Sequence, residues 1–408
     1  MKSQPPTNSE KKLNNHKDYG TESPNGFDFA NGKLRERIGG GQALKIRENV
    51  SLAPYTTFKI GGPAKYFCEV SDEEALVEAL NYARDNNLNV FVLGGGSNIL
   101  VSDEGFDGMA VKLKVKNKKL KVTVQNSKFL VNAWAGESLS SLVNFCRENS
   151  LTGMEWASGI PGSIGGAVRG NAGAYGSDMS KTVESVKVLE MTKIQDTRYK
   201  QIPNDKNQIS NKILKSVQVS DLNRNSSEGS APKNSAVQVW RLEPTQYLRV
   251  IKNKDCEFSY RDSIFKQNPN LIILSVVLRL EKGGKDEIEN KIIEIIKKRT
   301  EKLPSGFSAG SFFQNPTVNN PDLIKKFERD VGCECRDGKI PAGWLIEEVG
   351  MRGKKIGGAM VSEKHCNFVV NLDGATAEDV VMLASFIKTK VRDELGVELK
   401  EEVQCVGF

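Results

Sequence analysis

Residues 155–176 read EWASGIPGSIGGAVRGNAGAYG and consist largely of glycine, alanine and serine, which leaves little side chain to pack a core. Glycine occurs at such density where the backbone adopts positive φ, where another group approaches the peptide units closely, or in a flexible linker. Apolar side chains recur through the stretch, at Trp156, Ile160, Ile164, Val168 and Tyr175. A solvated linker has no use for them, so we interpret the stretch as a loop that contacts a ligand.

A second glycine-rich segment, VLGGGSNILV, lies earlier in the chain at residues 92–101. Backbone N–H groups freed of Cβ atoms can form a concave anion site there, although a plain tight turn explains this segment alone equally well. It matches neither a P-loop nor a G-x-G-x-x-G that opens a helix. Two such loops in one α/β region indicate one large ligand with phosphates and a flat ring. We therefore expect a dinucleotide, and a flavin outside the Rossmann fold.

Length and composition set broad limits on the protein. The 408 residues, 38% hydrophobic and 27% charged, suit two or three globular domains. The net charge of +7 is spread along the chain and suits an anionic small ligand, and the lysine-rich run at 112–122 is typical of a strand with a solvated face. Nucleic acid is therefore not expected as a partner. No apolar run approaches the roughly 20 residues that span a bilayer, so no membrane partner is expected either.

The N-terminal residues and the cysteines indicate a cytoplasmic protein. Residues 1–43 lack the apolar segment of a secretory signal, and their polar composition predicts a disordered tail. The seven cysteines are scattered and never spaced C-x-x-C, so we expect buried, reduced thiols. Only two histidines occur, His16 and His365, so we expect no metal site, no Ser-His-Asp triad and no histidine placed to attach a cofactor covalently.

Helix and strand signals predict the organisation of the chain. Helical patterns between strand-like runs, repeated once, predict an α/β or α+β sandwich. Capping boxes are expected at Ser71 with Glu74 and at Thr376 with Asp379. The segment IENKIIEIIKKRTEKL predicts a strongly amphipathic helix. Residues 193–238 are rich in Asn, Ser, Lys and Gln between two strand-like runs, which predicts a disordered insertion in a hairpin.

Seven motifs stand in a recognisable order. They are TTFKIGGPA, VLGGGSN, GIPGSIGGAVRGNAGAYG, FSYRDSIF, AGSFFQNP, IGGAMVSEKHCNFVVN and LKEEVQCVG. In these motifs the chain resembles the UDP-N-acetylenolpyruvoylglucosamine reductase (UDP-N-acetylmuramate dehydrogenase) family of bacterial cell-wall precursor synthesis. The resemblance covers residues 48–408 apart from the insertion. The short link from LRLEKGG into a helix at Lys285 is similar to the shorter subtype of that family.

The resemblance implies an α+β fold with a two-lobed FAD-binding region of the vanillyl-alcohol-oxidase (PCMH) type and a smaller α+β substrate-binding domain. The implied boundaries are 44–110 for the first lobe, 111–284 for the second and 285–408 for the substrate domain. It also implies noncovalent FAD, NADPH as reductant and a UDP-sugar enolpyruvate as substrate, in what we expect to be a monomer. The residues implied to contact FAD are Gly94, Gly95, Gly96, Ser97, Asn98, Gly159, Pro161, Gly162, Ser163, Gly165, Gly166, Gly170, Asn171, Gly173 and Ala174. Small residues there would let backbone amides reach the cofactor, and a side chain at Gly95 or Gly165 would enter its space.

The reaction implied by the resemblance needs three kinds of group. Hydride delivery to an enolpyruvyl group builds negative charge beside its carboxylate, so a fixed cation, a second polar group and a proton donor are required. Arg261, whose fork fits a carboxylate, occupies the family's catalytic arginine position. Ser311 stands where the family has its proton donor, and Glu402 where it has a catalytic glutamate. Successive strand residues face opposite sides, so only one of Glu401 and Glu402 can face the flavin.

The same residues are compatible with other roles and with other functions of the protein. Without the motifs, Arg261 beside Asp262 is more typical of a surface ion pair, and Ser311 of a turn. Asn315 aligns with the family's substrate contacts, but Gln314 stands where a cation is frequent, so one contact to the substrate would be missing. An alcohol-oxidising flavoenzyme of the same fold and a nucleotide-sugar binding protein without flavin are the alternative functions. The Arg, Ser and Glu positions disfavour the first, and the intact glycine loops disfavour the second.

Overall fold

The computed structural model describes residues 27–30, 33–36, 44–115, 120–125, 128–191 and 248–408. The predicted insertion at 193–238 and most of the predicted tail at 1–43 lie outside these ranges, so their disorder remains a prediction. None of the helices in the described ranges is both long and apolar enough to cross a membrane.

The predicted tail contains one short hairpin in the structure. Strand β1 (Phe27–Ala30) pairs antiparallel with β2 (Lys33–Glu36). The sequence carries the signal for it, because Asn31-Gly32 separates the two strands and Asn-Gly is strongly favoured in two-residue hairpin turns. The prediction of a wholly disordered tail is therefore wrong at these two strands.

The rest of the described chain alternates strands with helices. The strands are β3 (Ile46–Ser51), β4 (Pro63–Val70), β5 (Val90–Leu93), β6 (Ile99–Val101), β7 (Phe106–Leu113), β8 (Lys121–Gln125), β9 (Lys128–Trp134), β10 (Leu151–Thr152), β11 (Gly173–Ala174), β12 (Ser177–Asp178), β13 (Val183–Glu190), β14 (Leu248–Lys252), β15 (Leu271–Lys282), β16 (Phe307–Ser311), β17 (Lys355–Ile356), β18 (Ala359–Val361), β19 (Phe368–Asn371) and β20 (Gln404–Val406). The helices are α1 (Glu73–Asp85), α2 (Leu139–Glu148), α3 (Ile164–Arg169), α4 (Ile264–Gln267), α5 (Lys285–Lys302), α6 (Pro321–Val331), α7 (Ala342–Glu348) and α8 (Ala377–Leu395).

The first lobe is a four-stranded sheet in the order β3-β4-β7-β5, with β4 and β5 parallel to β7. Helix α1 connects β4 to β5, and a helical crossover of this kind is what allows strands to run parallel. The helix begins at Asp72, whose side chain accepts a hydrogen bond from the amide of Ala75. The capping box predicted at Ser71 and Glu74 is therefore wrong by one residue.

The second lobe is an antiparallel sheet in the order β14-β13-β15-β9-β8, with the short strand β10 attached to β15. The apolar face of α2 is buried at the predicted positions Leu139, Leu142, Val143 and Cys146. The lysine-rich run at 112–122 does not form one strand, because β7 ends at Leu113 and β8 begins at Lys121.

The third part of the chain is a four-stranded antiparallel sheet in the order β16-β19-β18-β17, packed with α6, α7 and α8. The capping box predicted at the start of α8 is confirmed, because the Thr376 hydroxyl accepts from the amide of Asp379 and the Asp379 carboxylate accepts from the amide of Thr376. The C-terminal strand β20 leaves this part and pairs parallel with β6 of the first lobe. The terminal motif is thereby attached to the segment that follows the first glycine loop.

Helix α5 packs differently from the prediction. It buries Ile288 and Ile292 in the hydrophobic core that contains the second lobe, whereas Ile293 and Ile296 are 57% and 45% exposed. Its apolar stripe is thus only partly covered, and the helix is not the strongly amphipathic element that was expected. The predicted domain boundary at residue 285 places this helix in the third domain. That boundary remains a prediction.

Candidate active site

A cavity of about 850 Å³ opens where the two glycine-rich loops meet the third part of the chain. This volume lies within the range of roughly 300–1,000 Å³ typical of small-molecule sites. All of the predicted cofactor residues except Gly159 and Asn171 line it, together with Arg261, Ser311 and Glu402. The structure therefore brings segments from six of the seven sequence motifs to one site.

The two glycine loops touch each other through their backbones. An ideal Cβ at Gly95 would lie 2.5 Å from Cα of Gly162, and one at Gly165 would lie 2.8 Å from Cβ of Ala135. Real Cβ atoms do not approach neighbours so closely, so glycine is required at both positions for packing within the protein. The expectation that a side chain at Gly95 or Gly165 would enter the cofactor's space is therefore wrong.

Other glycines of the second loop leave room beside the cavity. Outside the backbone of α3, in which Gly166 lies, an ideal Cβ at Gly166 meets no protein atom nearer than Oγ of Ser163 at 3.3 Å. An ideal Cβ at Gly170 meets only the carbonyl oxygen of Gly166 at 3.7 Å. Both glycines line the cavity. A ligand can thus lie against bare backbone at these two positions, as a flavin dinucleotide requires. The residues present fit FAD.

The first glycine loop also holds the C-terminal segment. Nδ2 of Asn98 donates to the backbone carbonyl of Glu402 at 3.1 Å, and the amide of Gln404 donates to the carbonyl of Asn98 at 3.1 Å. On the other side, the Lys112 ammonium donates to the carbonyl of Gly94. Asn98 therefore fixes the segment that carries Glu402, in addition to lining the cavity.

Arg261 lies at the tip of a tight turn. The amides of Ser259 and Asp262 donate to each other's carbonyls at 3.1 and 3.2 Å, and Arg261 between them has φ of +58°. A non-glycine residue in this left-handed region costs about 1 to 3 kcal/mol and persists only where its surroundings fix it. Asn171 supplies one such contact, because its Nδ2 donates to the carbonyl of Ser259 at 2.9 Å. Asn171 therefore connects the second glycine loop to the turn of Arg261 and does not line the cavity itself.

The guanidinium of Arg261 forms an ion pair with Glu402. Nε lies 2.7 Å from Oε1 of Glu402, with the two side chains 23% and 16% exposed. The Nε–H is not aligned for a hydrogen bond, while Nη2 donates to the carbonyl of Gly173 at 3.2 Å. The pKa of Glu402 is raised by burial, and the positive charges of Arg261 and Lys266 oppose that rise. The carboxyl can therefore exchange a proton more readily near neutral pH than an exposed glutamate.

Glu401 faces away from this pair, although both glutamates precede β20 and lie in no strand of the structure. Its Oε1 lies 2.8 Å from Nζ of Lys388, and both side chains are more than one-third exposed. The choice of Glu402 over its neighbour therefore agrees with the geometry.

Ser311 ends strand β16 at an irregularity in its pairing with β19. Gly310, directly before it, has φ of +80°, which favours glycine at that turn. The next residues are fixed by the buried Asn367, whose Nδ2 donates to the carbonyl of Phe313 at 2.8 Å while its Oδ1 accepts from the amide of Phe313 at 2.9 Å. The amide of Glu402 donates to the carbonyl of Phe312 at 2.8 Å, so a direct hydrogen bond joins the segments of Ser311 and Glu402.

Asn315 lies beside the site, outside the lining of the cavity. Its Oδ1 accepts from the amide of Ala342 at 3.0 Å, and its own amide donates to the hydroxyl of Tyr260 at 3.3 Å. Gln314 donates weakly from Nε2 to the carbonyl of Glu401 at 3.4 Å. A different cation is close by, because Nζ of Lys339 lies 3.9 Å from the ring centre of Tyr260. The substrate role of Asn315 remains a prediction.

Comparison with known proteins identifies the family. Residues 301–406 match the family model of the C-terminal domain of UDP-N-acetylenolpyruvoylglucosamine reductase, and residues 64–193 match that of an FAD binding domain. A reductase of this name from Solibacter usitatus is 33% identical over 91% of this chain and 100% of its own length. One from Caldanaerobacter subterraneus is 35% identical over 92% of this chain and 97% of its own. The chain belongs to the UDP-N-acetylenolpyruvoylglucosamine reductase family.

A solved structure supports the same assignment. The UDP-N-acetylenolpyruvylglucosamine reductase of Thermus caldophilus is 27% identical, with a TM-score of 0.60 over 89% of this chain and 99% of that one. Together with the FAD-binding match, this likeness confirms the predicted fold class of a two-lobed flavin region followed by a smaller domain. The chain is thus an FAD-dependent oxidoreductase of the reductase family.

The reductase fold also brings residues to the cavity that the sequence did not single out. They are Arg169, Tyr175, Arg299, His365 and Cys405, among others. Arg169 is the only cation within the opening stretch, which was an available signal, and its Nη1 donates to Oε1 of Gln404 at 2.6 Å. Tyr175 lies in the same stretch, and His365 and Cys405 lie in two other motifs, but no pattern marked them as site residues. Arg299 comes from α5, outside the motifs.

His365 lines the cavity, and its Nδ1 accepts from the amide of Asn367 at 3.2 Å. The expectation that no histidine is placed to attach the cofactor covalently remains a prediction. Burial lowers the pKa of His365, so the imidazole is neutral at pH 7. Cys68, Cys146, Cys256 and Cys366 are buried as predicted, whereas Cys333 and Cys405 are exposed.

Proposed function

We propose that this protein reduces the enolpyruvyl group of UDP-N-acetylglucosamine enolpyruvate to the lactyl ether of UDP-N-acetylmuramate, with NADPH as reductant. It thereby supplies a precursor of peptidoglycan. The observation that carries this proposal is the meeting of Arg261, Ser311 and Glu402 at the wall of the cavity that both glycine loops line. An anionic acceptor requires a cation, a proton donor and a second polar group at such a place.

Both glycine loops would hold FAD, with Gly166 and Gly170 leaving bare backbone at the cavity wall. FAD, when bound, supplies the redox chemistry, since a flavin can take a hydride from a nicotinamide and pass it to a carbon acceptor. The protein alternates between NADPH and the sugar nucleotide in this one cavity. It acts as a monomer in the cytoplasm.

The three polar residues have separate tasks in the second half-reaction. Arg261 binds the substrate carboxylate through its planar fork, which the turn and Gly173 orient. Hydride addition at the far carbon of the double bond leaves an electron pair on the carbon next to the carboxylate. Ser311 donates the proton that forms the new C–H bond, and solvent water then reprotonates the serine oxygen. Glu402, whose pKa is raised by burial, carries a proton taken from solvent and donates a hydrogen bond to the enolate oxygen as charge develops. Asn315 contacts the nucleotide part of the substrate from the side of Tyr260.

An anaerobic spectral experiment tests this function. The purified protein should show flavin absorbance that NADPH bleaches and that the enolpyruvyl sugar nucleotide then restores, with the lactyl ether as product. An alcohol oxidase of this fold would instead be bleached by an alcohol without NADPH. A colourless protein that binds the sugar nucleotide would show a binding protein, and the proposal would be withdrawn.

A further inference from the structure

Lys266 contacts the turn of Arg261 from the adjoining helix. Its Nζ donates to the backbone carbonyl of Arg261 at 2.8 Å. Helix α4 is anchored there by Phe265, which is fully buried, and by the buried Ser263, whose hydroxyl donates to the carbonyl of Arg169 at 2.7 Å. Lys266 is itself half-buried and reaches the turn from a fixed helix.

This hydrogen bond acts on the residue whose backbone is strained. Arg261 keeps a left-handed φ of +58° only because its neighbours hold it there. The carbonyl that Lys266 binds belongs to that same residue, so the bond restrains its peptide plane directly. A charged donor makes a stronger bond to a carbonyl than a neutral one. The direction of the Arg261 side chain toward Glu402 and Gly173 depends on this restraint.

The charge of Lys266 also reaches the carboxyl of Glu402. Among the described residues, Arg261 and Lys266 are the charged groups that act on this carboxyl, and both favour its ionised form. The neighbouring Glu401 is directed to Lys388 on α8, outside the pair. Loss of Lys266 would therefore leave one cation where there are now two.

We propose that Lys266 is a positioning residue for the reduction of the substrate, holding Arg261 in its strained turn and sharing with it the electrostatic control of Glu402. This inference rests on the proposed function. Lys266 does not line the cavity, so it acts through Arg261 and Glu402 and makes no contact with the substrate.

The test compares Lys266→Met with Lys266→Arg and with Lys254→Met, an exposed lysine away from the cavity. Flavin reduction by NADPH and flavin reoxidation by the enolpyruvyl sugar nucleotide are timed separately in anaerobic stopped flow. Lys266→Met should slow reoxidation by about 10- to 100-fold, the loss expected when a reacting group is slightly misplaced. Flavin reduction should stay within about twofold of wild type, and Lys266→Arg should recover most of the reoxidation rate because it keeps charge and donor.

The pH profile separates this role from simple support of the fold. The rate of flavin reoxidation is measured against pH in wild type and in Glu402→Gln. The limb of the profile that is absent from Glu402→Gln is the one due to titration of Glu402. Lys266→Met should move that limb upward by about one pH unit, because a cation that lowered the carboxyl pKa is gone. If Lys266→Met does not retain flavin, Lys266→Gln gives the same comparison.

Two results would overturn the inference. One is equal slowing of flavin reduction and reoxidation, which would mean that Lys266 supports cofactor placement. The other is slower reoxidation with the Glu402 limb unmoved, which would leave no electrostatic role. Failure of the proposed function is distinguishable from both, because the wild-type flavin would then not be reoxidised by the enolpyruvyl sugar nucleotide at all.

Discussion

Arg261 and Glu402 form an ion pair in which Nε of the arginine lies 2.7 Å from Oε1 of the glutamate. The two residues are far apart in the chain, because Arg261 lies in the strained turn between β14 and β15 and Glu402 lies near the C-terminal end. The pair exists because β20 returns to β6, and because Asn98 and Phe312 bind the backbone on either side of the Glu402 side chain. The segments of both lobes and of the third part of the chain thus meet at this pair. It connects the cofactor loops to the residues that act on the substrate.

The raised pKa of Glu402 predicts how stability depends on pH. Between the ordinary glutamate value of about 4.3 and the raised folded value, the folded protein binds more protons than the unfolded chain, so wild-type stability falls as pH rises. The Glu402→Gln variant cannot bind this proton. Its free energy of unfolding should therefore rise relative to that of wild type as the pH increases through that window. Urea unfolding at several pH values measures the difference, with the exposed Glu401→Gln as control. A relative gain by wild type would show that Arg261 lowers the carboxyl pKa overall.

Two glycine substitutions separate cofactor space from loop packing. Gly166→Val should give a folded protein without flavin, because a side chain there meets only Ser163 and lies along the cavity. Gly95→Val should lower the stability of the protein itself, since its Cβ would collide with the backbone of Gly162. Flavin absorbance and thermal unfolding of both variants provide the check. A stable Gly95→Val protein, or a Gly166→Val protein with full flavin, would contradict the packing described.

Cys405 provides a chemical probe of the cavity. It lines the cavity and is exposed, whereas the exposed Cys333 lies in the loop after α6. N-ethylmaleimide should label both in the apoprotein, and bound FAD should protect Cys405 alone. Mass spectrometry of the digested protein quantifies the labels. Equal labelling of Cys405 with and without FAD would place the flavin elsewhere.

The attachment of the flavin is a separate prediction. We expect acid precipitation to release all of it as free FAD, since the proposed binding needs only backbone contacts. His365 and Cys405 both line the cavity, which makes the outcome informative. A yellow pellet would contradict noncovalent binding, and His365→Ala and Cys405→Ser would then identify the attachment residue.

Arg261, Ser311 and Glu402 were predicted through the resemblance to the family, because each sits inside one of its motifs. Their local patterns alone indicate no more than a surface ion pair, a turn serine and one of two adjacent glutamates. The helix α2 face and the Thr376 cap follow from side-chain periodicity and one hydrogen-bond pattern. The start of α1 was missed because Ser71 and Asp72 are both good caps, and only the surrounding fold decides between them.

Contacts between distant segments could not be read from any local pattern. The collision that requires glycine at Gly95 involves the second loop, and the role of Asn171 depends on the turn at Ser259. His365 lines the cavity from the segment directly before β19, far along the chain from both glycine loops. Helix α5 carries isoleucines on more than one side, and only the fold decides that Ile288 and Ile292 are buried while Ile293 and Ile296 stay largely exposed.

In the proposed reaction, Ser311 acts with Arg261 and Glu402 on the substrate and not on the cofactor. Anaerobic stopped flow on Ser311→Ala tests this assignment, with Ser308→Ala on the same strand as the matched control. Flavin reduction by NADPH should be nearly unchanged, because no substrate carbon is protonated in that step. Reoxidation by the enolpyruvyl sugar nucleotide should fall by roughly 10² to 10⁴, the range for a lost general acid. Equal slowing of both steps in Ser311→Ala would contradict the proton-donor role.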